Sequence, residues 1–257
     1  MNLYLNTSIN NKKYHNNSQN IRVLTEQWTR NNMFCPRCGN NNIEKIKNNS
    51  PVADFYCKKC NNIFELKSKN GKISSKIVDG SYDKMIERIS SNTNPDFFFM
   101  TYNKIDFTIN DFIVIPKYFF TPKIIEKRKP LKETARRAGW IGCNILFNKI
   151  PNEGKIFIIK NKTKINKEEI LKTLNTTSFI KDIKLSNRSW IMDILNCINF
   201  LNDDIFSLSD IYNFELELKN LHPENNYIKN KIRQQLQFLR DKNYIEFLGK
   251  GKYRKRA

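Results

Sequence analysis

The chain has 257 residues, 39% of them hydrophobic, which suits one large or two modest cores. Its 45 Lys and Arg against 25 Asp and Glu give a net charge of +20, pointing to a polyanionic partner, with nucleic acid the first candidate. No apolar run approaches the roughly 18 residues of a membrane span. No basic amphipathic segment suits a membrane surface, and no apolar leader opens the chain. A membrane partner is therefore excluded and a reducing cytoplasm expected.

In chain order, Met1–Asn20 is Asn-rich and weakly patterned, an irregular lead-in. Ser18–Arg30 predicts a helix that turns Val23, Leu24 and Trp28 inward, with Glu26 read as a solvated helix residue ahead of the alternative, an upstream helical glutamate that joins a nuclease metal site. Next come Cys35-x-x-Cys38, eighteen residues, and Cys57-x-x-Cys60. Each C-x-x-C turn aims two sulfurs at one point, so the four thiolates predict a closed tetrahedral Zn²⁺ site that holds the fold and does no chemistry. Cys143 and Cys197 stand alone and read as small buried hydrophobes, and His15 and His222 as isolated side chains with no metal or catalytic role.

The second cysteine pair lies between two apolar-rich stretches, Val52–Cys57 and Ile63–Lys67, which predict a β-hairpin. A hairpin centred on the knuckle sets Asp54 opposite Ile63 and diagonal to Glu65, while Glu65 and Lys67, two apart, share a face. Two carboxylates and a lysine then converge on one patch. Such a patch suits phosphodiester hydrolysis, with Asp54 and Glu65 holding Mg²⁺ and Lys67 placing a water or neutralising charge. Taken alone, Asp-x10-Glu-x-Lys is also what an ordinary half-exposed hairpin looks like.

Ser68–Gly80 is polar, with Lys69, Lys72 and Lys76, and reads equally as a phosphate-tracking or a solvated loop. Tyr82–Ser90 predicts a helix with Met85, Ile86 and Ile89 on one face; Asp96–Tyr102 and Asp111–Pro116 predict buried strands. Alternating strands and helices predict an α/β core. Ile125–Trp140 gathers Lys127, Arg128, Lys129, Lys132, Arg136 and Arg137 just before Trp140. Arginines suit phosphates or guanine edges, and a tryptophan face suits a methyl group in the major groove. The alternative places Trp140 in the core. Two further strands fall within Ile145–Lys160 and a helical stretch near Lys167–Leu174, and the domain boundary is set at 185/186.

From Ser186 the pattern turns helical. Trp190–Phe200, with Ser189 as its N-cap, Ser207–Leu221 and Asn226–Lys242 predict three helices, and Tyr244–Phe247 with Lys252–Lys255 a basic hairpin. That order describes a winged helix-turn-helix. Its third helix turns Lys231, Arg233, Gln234, Gln237 and Arg240 outward, and its wing carries Lys250, Lys252, Arg254, Lys255 and Arg256.

Asp54, Glu65 and Lys67 resemble the PD-(D/E)xK nuclease motif, with Val52-Ala53 before Asp54 instead of a literal Pro-Asp pair. A closer resemblance, to the DpnI-like methyl-directed type IIM restriction endonucleases, runs along nearly the whole chain. It is carried by RVLTEQW (Arg22–Trp28), the CPxCGNN knuckle, NNSPVADFYC, FELKSKNG (Phe64–Gly71), NPDFFFMTY (Asn94–Tyr102) and ARRAGWIGCN (Ala135–Asn144), then by KIRQQLQFLRD (Lys231–Asp241) and GKGKYRK (Gly249–Lys255). The resemblance implies a restriction-endonuclease-like α/β (α+β) nuclease domain with structural zinc over 1–185 and a winged-helix DNA-binding domain over 186–257. It implies a bacterial, cytoplasmic enzyme, a monomer in solution, that cleaves double-stranded DNA at GATC containing N6-methyladenine. Mg²⁺ would be held by Asp54, Glu65 and the Leu66 main chain, and Lys69, Arg136, Arg137 and Trp140 would join the C-terminal residues named above in contacting DNA. Two other readings compete: a methyl-DNA reader or transcription regulator, in which the carboxylates are structural, and a structure-specific nuclease such as a junction resolvase.

Overall fold

Phe97-Phe98-Phe99-Met100 has no polar face, so a strand built from it must be covered on both sides. It becomes β5 (Asp96–Tyr102), in which every residue is buried. The computed structural model describes residues 1–7, 16–46 and 53–256. His15 and Val52 lie outside the described residues.

β5 sits inside a seven-stranded sheet of order β1 (Glu44–Lys45), β2 (Phe55–Tyr56), β3 (Ile63–Asn70), β5, β6 (Ile109–Ile115), β9 (Ile156–Lys160), β10 (Thr163–Lys164). Among the described strands only β3–β5 is parallel, and the connection between them is long enough to hold β4 (Lys76–Ser81) and α2 (Tyr82–Ser90). β4 joins a second sheet of order β4, β8 (Gly142–Leu146), β7 (Ile125–Lys127). α1 (Asn17–Asn32) begins where the Asn16 side chain accepts the Ser18 N–H. It buries Leu24 and Trp28, one turn apart, and Trp28 meets Phe112 at 5.5 Å between ring centroids. Phe112 packs on Phe98 at 5.2 Å, and Phe98 stacks on Phe64 at 4.7 Å. Ile170 and Leu174 of α3 (Lys167–Thr176) complete this core.

Several sequence expectations are corrected. The described part of the lead-in is packed: Leu5 is buried and Tyr4 bridges Thr108. Ser68–Gly80 is not a loop, because β3 runs on to Asn70 and β4 begins at Lys76. Glu26 is buried, not solvated.

Both cysteine turns are tied to one carboxylate. Asp96, fully buried, accepts Arg37 Nε at 2.7 Å and Nη2 at 2.8 Å, Asn62 Nδ2 at 2.7 Å and the Lys117 N–H at 2.6 Å. Arg37 belongs to the first turn and Asn62 follows the second. Burial alone would lower the Arg37 pKa, but the charge of Asp96 holds it above the usual arginine value. Removing one member of a buried pair leaves the other uncompensated, so Asp96→Ala is expected to lose about 3–5 kcal/mol of stability in urea unfolding.

The chain divides into two compact units, Met1–Asn148 with Glu153–Thr177, and Lys149–Asn152 with Ser178–Ala257. In the second, α4 (Leu185–Phe200) starts earlier than expected, so Ser189 lies inside it and is not its N-cap. The expected second helix is two: α5 (Leu208–Tyr212), closed by a reciprocal Ser207–Asp210 capping box, and α6 (Glu215–Leu221). α7 (Ile228–Asp241) buries Ile228, Ile232, Leu236 and Leu239. β12 (Ile245–Gly249) and β13 (Lys252–Lys255) form the wing, and β11 (Ile205–Ser207), unforeseen, pairs with β13 to make three strands. Gly249, Lys250 and Gly251 turn the wing with φ of 88°, 48° and 72°. His222 is buried against Trp190, with centroids 3.5 Å apart, and its Nε2 meets Asp193 at 2.8 Å.

Candidate active site

The cysteine turns share one geometry. In the first, Cys35 N–H donates to Asn40 O and Gly39 N–H to Cys35 O; in the second, Cys57 N–H donates to Asn62 O and Asn61 N–H to Cys57 O. Each turn exits through a left-handed residue, Gly39 at φ 72° and Asn61 at φ 56°. The sulfurs of Cys35, Cys38, Cys57 and Cys60 all lie within 4.8 Å of one another, with Cys35–Cys60 and Cys38–Cys57 at 3.6 Å. A tetrahedron with Zn–S near 2.3 Å has edges of about 3.8 Å, so this donor set fits zinc and leaves no open position. Burial pushes the Cys57 thiol up, but N–H groups of Cys60 and Lys59 and the neighbouring sulfurs outweigh it and lower it to about 7.

The same turn sets the carboxylates. Phe55 pairs with Phe64 and Tyr56 with Ile63, so Ile63 faces Tyr56 and not Asp54 as the sequence suggested; Asp54 lies just beyond the end of this ladder. The cause is Asn61: the chain spends extra residues leaving the turn before re-entering the strand, and the hairpin centre moves toward β3. Asp54 N–H donates to Phe64 O, and the Leu66 N–H donates to Asp54 Oδ2 at 2.8 Å. Strand alternation turns the Leu66 carbonyl to that same side. Glu65, Lys67 and Lys69 share the other face of β3.

Cations and carboxylates alternate around this hairpin. Lys67 Nζ meets Glu65 Oε1 at 2.7 Å and is paired with Asp79 of β4. Arg88 of α2 lies 3.9 Å from Glu65 Oε2, and Arg22 of α1 lies 3.4 Å from Asp54 Oδ1. Glu26 is paired with Arg22 and, at 2.7 Å, with Lys45. Burial raises the Asp54 carboxyl above its usual range; Glu26 adds to this, while the Leu66 N–H, Arg22 and Lys67 oppose it. Glu65 is raised too, by burial and by Asp79, against the pull of Lys67. Burial would lower Lys67, but Asp79 and Glu65 hold it above the ordinary lysine value. Two half-buried carboxylates with a main-chain carbonyl beside them are hard oxygen donors of the kind Mg²⁺ takes.

Sequence reasoning missed Arg22, Asp79 and Arg88. Arg22 and Arg88 carried no periodic signal beyond helix polarity. Asp79 did carry one, since Ile77 and Asp79 are buried between exposed neighbours on β4, which is strand alternation with an acid at an inward position.

Other expected contact residues are surface groups. Arg136 and Arg137 are exposed on a loop closed by Leu131 N–H to Trp140 O, and Arg137 stacks over Trp140 at 4.7 Å. Trp140 is partly exposed and rests on Gly142, where an added Cβ would come within 2.9 Å of the ring, so it is not a core residue. In the second unit Arg233, Gln234, Gln237 and Arg240 are exposed, as are Lys250, Lys252 and Arg254 on the wing. Lys231 is only partly exposed and donates to Gln234 at 2.8 Å; Arg240 is drawn to Asp241 at 2.8 Å. Tyr227, Lys229 and Asn230 at the start of α7 are exposed and escaped the sequence reading.

A mixed α/β sheet with a four-sulfur site and a carboxylate–lysine cluster on one hairpin, joined to a C-terminal helix-turn-helix module, defines a two-part DNA-acting protein. The pattern of the DpnI, or Dam-replacing, family matches residues 1–183, and that of the Dam-replacing helix-turn-helix domain matches residues 186–255. The chain belongs to the DpnI family, and so stands among restriction endonucleases with a DNA-binding helix-turn-helix domain. Among the described residues no helix is long and apolar enough to cross a membrane.

Proposed function

We propose that the chain is a Mg²⁺-dependent type II endonuclease that hydrolyses double-stranded DNA at GATC containing N6-methyladenine. Residues 1–185 are the nuclease domain and residues 186–257 the winged-helix domain that reads methylated DNA. The observation that carries this reading is that Asp54 accepts the Leu66 N–H between Glu65 and Lys67, which are themselves ion-paired, in a chain of the DpnI family.

Asp54, Glu65 and the Leu66 carbonyl are the groups that would hold Mg²⁺. When bound, the ion supplies a water of lowered pKa and a Lewis acid for the scissile phosphate. Lys67, kept charged by its carboxylate neighbours, orients the attacking water and opposes charge that builds on the phosphate. Lys69 continues the Glu65–Lys67 face toward the DNA backbone. Lys231, Arg233, Gln234 and Gln237 of α7 address the major groove, Arg240 the backbone beyond them, and Lys250, Lys252 and Arg254 the phosphates flanking the wing.

The test compares Mg²⁺-dependent cleavage of one plasmid prepared from adenine-methylating and non-methylating hosts. GATC fragments from the methylated plasmid alone support the reading. Cutting of both plasmids removes methyl sensing, and methyl-selective binding without cutting moves the chain to the reader class.

Arg136, Arg137 and Trp140 form the second DNA contact. The stacked guanidinium pre-sets the tryptophan face, which is placed to meet the N6-methyl. Trp140→Ala is expected to fold and still cut, but to lose at least about tenfold of its preference for methylated DNA in single-turnover rates. Full preference in the folded variant refutes the assignment.

A further inference from the structure

We infer that Asp79 is a positioning residue for Lys67, acting on the nuclease reaction through the ammonium without touching DNA. The inference rests on the reading of Asp54, Glu65 and Lys67 given above.

Asp79 reaches Lys67 from a different sheet. It lies on β4, which pairs with β8, whereas Lys67 lies on β3 of the seven-stranded sheet. The pairing moves from Asp79↔Cys143 to Ser81↔Gly142, so β4 spends one extra residue, Gly80, against a single step on β8. Such a bulge re-aims the side chains beside it, and here it falls next to a buried carboxylate. Val78 is 62% exposed and Ile77 4% exposed, so Asp79, in phase with Ile77, occupies a position where an apolar residue would serve stability better. A buried carboxylate is costly unless it is paired, and its partner here is the one lysine of the catalytic cluster.

The arrangement gives Lys67 direction. An ammonium has three N–H donors. Glu65 and Asp79 take two from different strands, which fixes where the third points. Glu65 alone could not do this, since its oxygens are also the ones asked to hold a cation. Asp79 keeps Lys67 in place when Glu65 is so engaged, and it offsets the ammonium's attraction for that carboxylate.

The experiment is a double-mutant cycle on the full chain with methylated duplex DNA. Its readouts are single-turnover cleavage in Mg²⁺, DNA affinity in Ca²⁺ without cleavage, and thermal melting. Asp79→Asn is expected to slow cleavage about 10- to 100-fold, the usual cost of losing a group that orients a reacting one, with affinity within about twofold of wild type. Asp79→Glu, which restores the charge, is expected to recover most of the rate, and it is the second probe if the asparagine variant melts. In a Lys67→Ala background, Asp79→Asn is expected to add less than about twofold, because the group it orients is gone.

Wild-type cleavage by Asp79→Asn overturns the inference. So does an undiminished effect in the Lys67→Ala background, which would mean that Asp79 acts by its own contact, and so does slowing that only tracks lost affinity or lost fold. If Lys67→Ala itself cuts at the wild-type rate, the reading of the whole cluster fails, an outcome distinct from failure at Asp79 alone.

Discussion

Asp54→Asn is expected to give a folded, DNA-binding protein whose cleavage of methylated GATC DNA is slower by about 1,000-fold or more. A Lewis acid and a lowered water pKa together supply several kcal/mol to phosphoryl transfer, and each 1.36 kcal/mol is a factor of ten. The asparagine keeps an oxygen for the Leu66 N–H, so β2 and β3 stay in register. Stability moves the other way. Burial raises the folded-state pKa values of Asp54 and Glu65 above the reference values of 3.8 and 4.5, so the unfolded chain releases these protons first. Their contribution is fully present below those reference values and is lost as pH rises through the folded pKa values. Above the folded pKa values the metal-free protein therefore carries two destabilising charges. Asp54→Asn should melt no lower than wild type in chelator, and a lower melting temperature would count against this account. Cleavage at wild-type rates by the variant would remove Asp54 from the site altogether.

Cys57→Ser is expected to do more damage to the fold. Structural zinc contributes roughly 10–16 kcal/mol in small zinc-dependent domains, comparable with the whole stability of a globular one. Wild-type protein should carry one zinc per chain by elemental analysis. Cys57→Ser should carry substantially less and melt at least about 10 °C lower, the shift that a loss of roughly 4 kcal/mol gives at this domain size. Because Arg37 and Asn62 both reach Asp96, the damage should spread into β5 and not stop at the turns. An unchanged melting curve in a zinc-free variant would reduce the four sulfurs to a packing cluster.

What the sequence made legible follows from signal strength. α2 and β5 have the bounds read from Tyr82–Ser90 and Asp96–Tyr102, because amphipathic helical spacing and an unbroken apolar run each admit one reading. The four cysteines were legible because their spacing is itself geometry. The register around Asp54 was not, since a left-handed Asn61 adds length that no hydrophobic pattern reports. The acid at Asp79 hid for the opposite reason: a carboxylate at an inward strand position looks like loop until its lysine is found. Glu26 looked solvated because helix polarity says nothing of what another strand brings to it; Lys45 of β1 is that partner. α4 began before Trp190, where the apolar spacing starts, with Arg188 buried inside it and donating to Ile183 O at 2.8 Å.

The turn that carries Cys57 and Cys60 also counts residues. From Asp54 to Lys67 the path is fixed at both ends, by the ladder to β2 and by Phe64 stacked on Phe98. Deleting one residue after Cys60 forces a choice. Either Phe64 stays buried and Asp54 slips from the Leu66 N–H, or the hairpin keeps its pairing and β3 turns Glu65 and Lys67 to the opposite face. Outside Asp54, Cys57, Cys60, Asn61, Asn62, Phe64, Glu65 and Lys67, the corresponding stretch of the gene should therefore tolerate changes of spelling but not of length: single-codon substitutions there leave an active allele, and in-frame insertions or deletions give a silent one.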